Sequence, residues 1–548
     1  MSRSTLSSAC LTLALLAPLT LPEAHAAGTA TLLTVNDVYR ISGIEDGRRG
    51  GIARLRTLRA NLEAQGTDPV LLHAGDFLFP SLLSRRYRGE QMIDLLNRLD
   101  GDASAFDERL FITFGNHEFD KSRRRDASML RQRIRESDFR WLNANVLFAR
   151  DESNRPMISA SNLMAHTLIE SGGVRVGLFA LTTDVKAAEY IERFAEPEPT
   201  AALMTALLRQ QGADVVVALT HLRAERDEAL LRALGDAGPD LIVGGHEHER
   251  QVHLAGGHRR VIKADADAVT AAVIRVHVDD SGGVRISHEF IALDESVSPA
   301  PDVAARAHHW QERYERETCA EQGERADCLS EPLGHTRVKL IAEELEIRRY
   351  ETNLGNFVID QGLAAFADQG AQAAIINSGS LRLNQNIPAG AALTQRTLGE
   401  LFAYPSPMSL IRIDGRTLRA VLAHAITDWT GNGRWLQIAG FAWRHDPTTA
   451  TATDITLLSD DGPRPIKDEE SILMVVNDYL LDPSGDQDGY TMLGPQLRVP
   501  SGRAAPDLRD LVAAALRASG ERGIAPRIEG RICTVSREGP CLAVSAAD

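Results

Sequence analysis

The sequence lacks an excess of positive charge. Its 548 residues include 60 lysines and arginines against 75 aspartates and glutamates, which gives a formal net charge of −15 at pH 7. Nucleic acids and anionic membrane surfaces attract proteins with basic patches, so this balance argues against both as partners. A small anionic substrate stays compatible with it, because such a substrate needs only a few local cations.

Long hydrophobic runs are also missing. Beyond residue 26, no segment reaches the ~18 consecutive apolar residues of a membrane span, so we predict none. Residues 1–26 combine Arg3, an apolar run at 11–19 and Ala24-His25-Ala26, a pattern typical of a cleaved secretory signal peptide. We therefore expect a monomeric protein, free in the periplasm or secreted.

Cysteine is scarce, and no two cysteines have the CxxC spacing of redox and zinc motifs. Outside the signal segment the cysteines are Cys319, Cys328, Cys533 and Cys541. An even number in an exported chain favours disulfides. Local pairing, Cys319 with Cys328 and Cys533 with Cys541, is the simplest connectivity. Pairing between mid-chain and tail, and four free structural thiols, are the alternatives.

The order of apolar runs predicts two α/β domains. Strand-like runs such as residues 31–35 alternate with helical segments such as residues 53–64. Later runs such as residues 272–278 are expected to be antiparallel, which favours two facing sheets with helices outside, a four-layer α/β/β/α sandwich. The predicted division is a signal peptide (1–26), a first domain (27–298), a helical linker (299–334) and a second α/β domain (335–548).

Polar side chains with ligand chemistry follow five of the strand-like runs. They are Asp37, Asp76, Asn116, His221, and the pair His246 and His248. Together they supply enough oxygen and nitrogen ligands for two divalent cations, provided that one carboxylate bridges the two.

The order of these motifs resembles the calcineurin-like metallophosphoesterases. In this sequence they read Asp37-Val38-Tyr39, Gly75-Asp76, GNHEFD at 115–120, Thr220-His221 and GGHEH at 244–248. In the second half, NSGSLR at 377–382, WLQIAG at 435–440 and NDY at 477–479 resemble the 5'-nucleotidase C-terminal domain. The sequence is thus similar to the secreted two-domain 5'-nucleotidases.

The resemblance implies a dimetal centre that holds divalent ions such as Mn, Zn, Fe or Co. Asp37 and His248 would bind the first ion, Asp76 would bridge, and Asn116, His221 and His246 would bind the second. A water shared by two cations loses its proton near neutral pH, and the bridging hydroxide would attack phosphorus. His117, oriented by Asp120, would be the catalytic imidazole beside the phosphoryl or leaving oxygen.

Tyr39 departs from the commoner family pattern, which has histidine two residues after the first aspartate. A phenol has a pKa near 10 and ligates well only as phenolate. We count Tyr39 among the metal ligands, and the alternative is a hydrogen bond to a metal-bound water or a place in the pocket wall.

The resemblance also implies a nucleotide substrate. Trp435 and Tyr490 fall on the positions of two rings that clamp the base, and core packing is their alternative role. Asn377 and Arg382 would contact phosphate or base. The predicted activity is that of an exported 5'-nucleotidase, a metal-dependent phosphoric ester hydrolase. The alternatives are a thiosulfohydrolase-type enzyme of sulfur oxidation and a non-catalytic nucleotide-binding protein.

Overall fold

A computed structural model describes residues 27–185, 187–427, 429, 433–459, 461–485, 487–500 and 502–544. The predicted signal peptide lies outside these residues.

The strands up to residue 292 form two large sheets and one small one. In chain order they are β1 (Gly28–Val35), β2 (Val70–His73), β3 (Leu110–Thr113), β4 (Arg140–Leu142), β5 (Val146–Phe148), β6 (Leu163–Met164), β7 (His166–Ser171), β8 (Val174–Thr182), β9 (Ile191–Phe194), β10 (Val215–His221), β11 (Leu241–Gly244), β12 (Gln251–Leu254), β13 (Arg260–Lys263), β14 (Thr270–Val278) and β15 (Val284–Ala292). We call this part of the chain the N-terminal unit.

The first large sheet has the order β15-β14-β1-β2-β3-β4-β6, and the second has the order β12-β13-β11-β10-β8-β7. Strands β1 to β4 are parallel, and so are β8, β10, β11 and β13. As predicted, β14 is antiparallel to β1. The strands β5 and β9 pair separately.

The two large sheets pack face to face with helices on both outer sides. Neighbouring residues of β1 show the layering, because Leu32 packs between the sheets whereas Leu33 packs against the outer helices. The helices of the unit are α1 (Ile52–Ala64), α2 (Leu82–Tyr87), α3 (Glu90–Leu96), α4 (Ala127–Arg135), α5 (Pro197–Gln210) and α6 (Ala224–Leu234). The predicted four-layer sandwich is confirmed.

A long helix, α7 (Pro301–Glu321), follows the N-terminal unit. Pro301 occupies its first turn, where the missing backbone N–H costs nothing. Val303, Ala307 and Trp310 bury one face of α7 in the same core as α1 and α3. The helix therefore packs on the N-terminal unit.

The rest of the chain, which we call the C-terminal unit, contains two four-stranded sheets and a two-stranded one. Its helices are α8 (Glu344–Ile347), α9 (Asn353–Ala364), α10 (Gln395–Leu401), α11 (Gly415–Ala425) and α12 (Leu508–Ser519). Its strands are β16 (Pro332–His335), β17 (Ala373–Asn377), β18 (Ala392–Thr394), β19 (Met408–Asp414), β20 (Leu436–Ala439), β21 (Phe441–Asp446), β22 (Thr451–Ser459), β23 (Gly462–Pro465), β24 (Ser471–Asn477) and β25 (Ile532–Thr534). The sheet orders are β19-β24-β17-β20, β23-β22-β21-β25 and β16-β18.

Two disulfides join the predicted local cysteine pairs, Cys319 with Cys328 and Cys533 with Cys541. This confirms the simplest of the connectivities that the sequence allowed. Among the described residues, no helix has the length and apolar character needed to cross a membrane.

Candidate metal centre

The predicted ligands converge because their strands end at the same level. In the first sheet, Val35 pairs with His73, and His73 pairs with Ile112. In the second sheet, Thr220 pairs with Gly244. Loops that leave parallel strands at their carboxyl ends meet at one edge, the usual place for a site in such sheets. That edge holds Asp37, Asp76, Asn116, His221, His246 and His248.

Three of these side chains form the centre of the cluster. Asp37, Asp76 and His221 are buried, and each offers a ligand atom within 4.8 Å of the others. The Nε2 atom of His221 lies 3.2 Å from Asp76 Oδ2 and 3.9 Å from Asp37 Oδ1. Two ligands that are each about 2.1 Å from one metal ion lie about 3 Å apart. The spacing therefore suits a shared cation.

The hydrogen bonding of His221 leaves one ring nitrogen facing the two carboxylates. The Nδ1 atom of His221 lies 2.6 Å from the carbonyl oxygen of Ala74, which can only accept, so Nδ1 carries the proton. In the neutral ring, Nε2 then presents a lone pair to two carboxylates. It is buried and has no hydrogen-bond partner among the described residues. A divalent metal ion would satisfy all three groups.

The remaining ligands flank this centre. The Nδ1 atom of His246 lies 3.1 Å from Asn116 Oδ1 on one side. The Nε2 atom of His248 lies 3.3 Å from Asp37 Oδ1 on the other. The structure thus brings the predicted ligands together as two neighbouring groups with Asp76 near both.

The pKa shifts at the centre arise from burial and from the charges of neighbouring groups. Burial alone would lower the pKa of His221, but the carboxylates of Asp76 and Asp37 raise it to about 9. Burial and the nearby His221 lower the pKa of His246 to about 3, so this ring is a neutral ligand at pH 7. The same carboxylates that raise the pKa of His221 would also attract a metal ion.

Tyr39 lies in the group that contains Asp37 and His248. Its hydroxyl lies 2.9 Å from His248 Nε2, 3.2 Å from Asp37 Oδ1 and 3.3 Å from Asp76 Oδ2. Burial and the carboxylates of Asp76 and Asp37 raise the pKa of Tyr39 well above 10. The phenol is therefore protonated unless a cation beside it reverses the local field.

His117 and Asp120 form the predicted pair next to the ligands. The Nδ1 atom of His117 lies 3.0 Å and 3.1 Å from the two carboxylate oxygens of Asp120. The backbone N–H of His117 donates to Asp76 Oδ1 at 2.7 Å. The pair is thus fixed to the carboxylate of Asp76, and Nδ1 of His117 is turned toward Asp120.

Backbone strain marks the same site. The φ angles of four predicted ligands lie in the left-handed region that side chains rarely adopt: Asp37 at 53°, Asp76 at 58°, His246 at 90° and His248 at 64°. Such strain persists only where surrounding contacts impose it, and it clusters at functional sites. Position 115 requires glycine for a steric reason, because a Cβ atom there would lie 2.1 Å from Asp76 Oδ1.

Glu118, whose role was not predicted from the sequence, holds together the two loops that carry Asp76 and Asn116. Its buried carboxylate accepts hydrogen bonds from the backbone N–H groups of Asp76, Phe77, Leu78 and Gly115, at 2.9, 2.9, 3.0 and 2.6 Å. Hydrogen bonds to an ionised acceptor are strong. The position of Glu118 inside the GNHEFD motif was a signal that could have identified it.

Lys263 was missed as well, and it holds the other ligand loops. Its buried ammonium donates to the carbonyls of Leu222 and Gly245 at 2.7 and 2.9 Å. It also pairs with Asp227 at 2.9 Å and Glu247 at 2.6 Å. These contacts connect the loops after β10 and β11. No local motif around Lys263 predicts them.

The C-terminal unit places Arg382 beside the centre. Arg382, Tyr39 and His248 line a cavity of about 430 Å³ between the two units. Burial opposes the charge of Arg382, but the acidic groups of Tyr404, Glu344 and Asp120 raise its pKa. Arg382 is therefore a permanent cation at the edge of the metal centre.

The other three predicted substrate contacts are placed differently. Trp435 and Tyr490 are 1% and 0% exposed and belong to a hydrophobic core of the C-terminal unit. The indole N–H of Trp435 donates to the Tyr350 carbonyl, and the Tyr490 hydroxyl donates to the Arg434 carbonyl. In this arrangement neither ring face is accessible to a base, so the alternative of core packing describes them.

Asn377 is likewise used within the protein and is 2% exposed. Its amide nitrogen donates to Asp488 Oδ2 at 2.6 Å, and its oxygen accepts from Ser380 Oγ and Asn477 Nδ2. In the described arrangement it connects three loops rather than offering a free group to a substrate.

Comparison with known families agrees with this architecture. Residues 30–250 match the calcineurin-like phosphoesterase family, and residues 332–495 match the 5'-nucleotidase C-terminal domain. The chain belongs to the two-domain 5'-nucleotidase family. Its class of activity is therefore the metal-dependent hydrolysis of phosphoric esters, as predicted.

Curated relatives of this family match most of the chain. The trifunctional nucleotide phosphoesterase protein YfkN of Bacillus subtilis is 25% identical over 437 residues, which cover 71% of this chain and 28% of that longer protein. A snake venom 5'-nucleotidase of Gloydius brevicauda is 24% identical over 518 residues, which cover 84% of this chain and 82% of the relative.

Solved structures share the fold. A 5'-nucleotidase precursor of Thermus thermophilus has a TM-score of 0.73 and 23% identity, with 93% of this chain and 100% of that chain covered. The sulfate thiohydrolase SoxB of Thermus thermophilus has a TM-score of 0.67 and 18% identity, with 96% and 99% covered. At these identities the likeness shows the fold alone and does not separate the two activities.

We predict that Glu118→Gln destabilises the protein. The amide group replaces one acceptor oxygen with a donor, so two of the four backbone N–H groups lose their partner. Each buried unpaired donor costs about 1–3 kcal/mol, and the free energy of unfolding should fall by roughly 2–6 kcal/mol in denaturant titrations. Glu289→Gln, at an exposed position of β15, is the control. Equal stability of the two variants would contradict the role of Glu118.

We predict that Trp435→Ala acts on stability and does not select between substrates. Removing a buried tryptophan ring costs about 3–5 kcal/mol, so the thermal midpoint should fall. The KM values for AMP and for p-nitrophenyl phosphate should change by similar factors, because the ring contacts neither substrate. A selective rise in KM for AMP would show that the ring stacks on the base.

Proposed function

We propose that the chain is an exported dimetal 5'-nucleotidase that releases phosphate from nucleotides. The observation that carries the proposal is the position of His221, whose Nδ1 is bonded to the Ala74 carbonyl and whose Nε2 faces the carboxylates of Asp37 and Asp76. Oxygen and imidazole donors of this kind suit divalent ions such as Mn, Zn, Fe and Co.

The ligands divide into two groups around the bridging carboxylate of Asp76. We assign Asp37, His248 and Tyr39 to the first ion, and Asn116, His221 and His246 to the second. When bound, the two ions would acidify a water molecule and neutralise phosphoryl oxygens. Tyr39 is included because its hydroxyl lies within 3.3 Å of three other ligand atoms.

His117 would be the proton donor of the reaction. Asp120 accepts from Nδ1, so Nε2 can donate a proton to the leaving oxygen or hold the phosphoryl group by a hydrogen bond. Asp120 keeps the ring in this orientation. The pair needs no nucleophilic side chain, because water is the attacking group.

Arg382 and the cavity between the units would bind the substrate. Arg382 offers a guanidinium that suits a phosphate group, and it lines the same cavity as Tyr39 and His248. A cavity of about 430 Å³ falls within the usual range for small-molecule sites. It can therefore hold a leaving group of nucleoside size even though Trp435 and Tyr490 are covered.

Two further parts of the proposal concern the whole chain. The two disulfides fit a protein that works in an oxidising compartment, so we propose that the protein is periplasmic or secreted. We also propose that it is a monomer. We also keep the predicted division into a first domain at 27–298, a linker at 299–334 and a second domain at 335–548.

His117→Ala should lower kcat for AMP by ~10²–10⁴, the usual contribution of a positioned proton-transfer group. Its metal content should stay unchanged, because His117 is not among the ligands. Asp76→Ala should lose both ions and activity together. The measurement is kcat with AMP alongside metal analysis of the same samples, and His309→Ala, at an exposed position of α7, is the control.

The substrate test uses the wild-type protein loaded with each metal in turn. Hydrolysis of AMP without release of sulfate from a thiosulfonate-bearing peptide supports the proposal. Sulfate release without AMP hydrolysis would select the thiosulfohydrolase alternative. Binding of AMP without turnover under any metal would select the non-catalytic alternative, and full activity after exhaustive chelation would exclude the dimetal mechanism.

A further inference from the structure

A carboxylate of the C-terminal unit touches a ligand of the N-terminal unit. Glu344, the first residue of α8, places Oε2 at 2.6 Å from Nδ1 of His248. Glu344 is 5% exposed, and the side chain of His248 is 16% exposed. The contact is thus a short hydrogen bond in a nearly dry interface, where its electrostatic strength is greatest.

This hydrogen bond determines which nitrogen of His248 faces the ligands. A carboxylate that accepts from Nδ1 fixes the proton there, so Nε2 keeps its lone pair. The Nε2 atom points to the first ligand group, at 3.3 Å from Asp37 Oδ1 and 2.9 Å from the Tyr39 hydroxyl. Without Glu344, Nδ1 of His248 loses the carboxylate that accepts its proton in this structure.

Glu344 is itself held rigidly in the C-terminal unit. The Glu343 side chain caps α8 by accepting from the backbone N–H groups of Leu345 and Glu346. Arg348, one turn later, lies 2.7 Å from Glu344 Oε1. The carboxylate therefore moves with the C-terminal unit as a whole, and it reaches His248 only while the two units are docked.

Other contacts maintain that docking without touching the ligands. Arg85 of α2 donates to the backbone carbonyls of Ala403 and Gly399 in the C-terminal unit. Arg396 of α10 pairs with Glu315 of α7 at 2.5 Å. These contacts lie around the cavity between the units.

We propose that Glu344 is a positioning residue that the C-terminal unit contributes to the first metal site. The affinity of that site for a divalent cation then depends on the docking of the two units, and a bound cation favours docking in return because such coupling is reciprocal. The inference rests on the dimetal centre proposed above.

The test is titration of the metal-free full chain with Mn²⁺ by calorimetry. Wild type should bind two ions. Glu344→Ala should lower the affinity of one site by ~10–100-fold, as loss of a ligand's hydrogen-bond partner usually does, and should leave the other site within about twofold. Glu344→Gln keeps an acceptor without the charge and should restore part of the loss. The matched control is Glu346→Gln in the same helix, which affects the exposed pair between Glu346 and Arg537.

A second variant tests the coupling. Arg85→Ala removes two hydrogen bonds between the units and no contact of the ligands. Because each hydrogen bond contributes at least about 0.5 kcal/mol, the same site should weaken by roughly 5-fold or more, and the other should not. An unchanged first site in this variant would overturn the dependence on docking.

The outcomes separate this inference from the proposed function. No Mn²⁺ binding by wild type would refute the metal centre itself. Two ions bound with wild-type affinity by Glu344→Ala would overturn only the role of Glu344. Equal weakening of both sites, or no recovery in Glu344→Gln, would show a general structural effect and would also overturn the role.

Discussion

The whole site depends on the electrostatic repulsion between two buried carboxylates, Asp37 and Asp76, which the fold brings together. The Nε2 atom of His221 faces both of them, and its Nδ1 atom is bonded to the Ala74 carbonyl. Burial strengthens this repulsion, because the surrounding medium has a low dielectric constant. Only a cation relieves it, so the affinity for metal ions is a consequence of how the strands end.

The fold resists this repulsion with buried charges that act on the backbone. Glu118 accepts hydrogen bonds from four backbone N–H groups in two loops of the first sheet. Lys263 donates hydrogen bonds to two backbone carbonyls in loops of the second sheet. Asp267 holds the loop of Tyr39, because its carboxylate accepts a hydrogen bond from the backbone N–H of Tyr39 at 2.9 Å. These contacts keep the strained ligand residues in place before any ion binds, which lowers the reorganisation needed for binding.

The clustering of the predicted ligands could be predicted from sequence because each one lies a few residues after an apolar strand, and parallel strands bring such positions to one edge. The layered fold followed from the same strand pattern. The supporting contacts could not be predicted, since Lys263 and Gly245 or Glu344 and His248 are far apart in the chain. Trp435 illustrates another limit: its position in a motif does not tell which side of the ring is covered, and here both are.

Crystallographic anomalous scattering from protein loaded with Mn²⁺ tests the central claim most directly. The account predicts two peaks about 3.5–4 Å apart, the usual separation in two-metal sites. Asp76 should lie between them, with Asp37 and His248 beside one and His221 and His246 beside the other. Absence of peaks at this edge of the sheets, or peaks that Asp76 does not bridge, would contradict it.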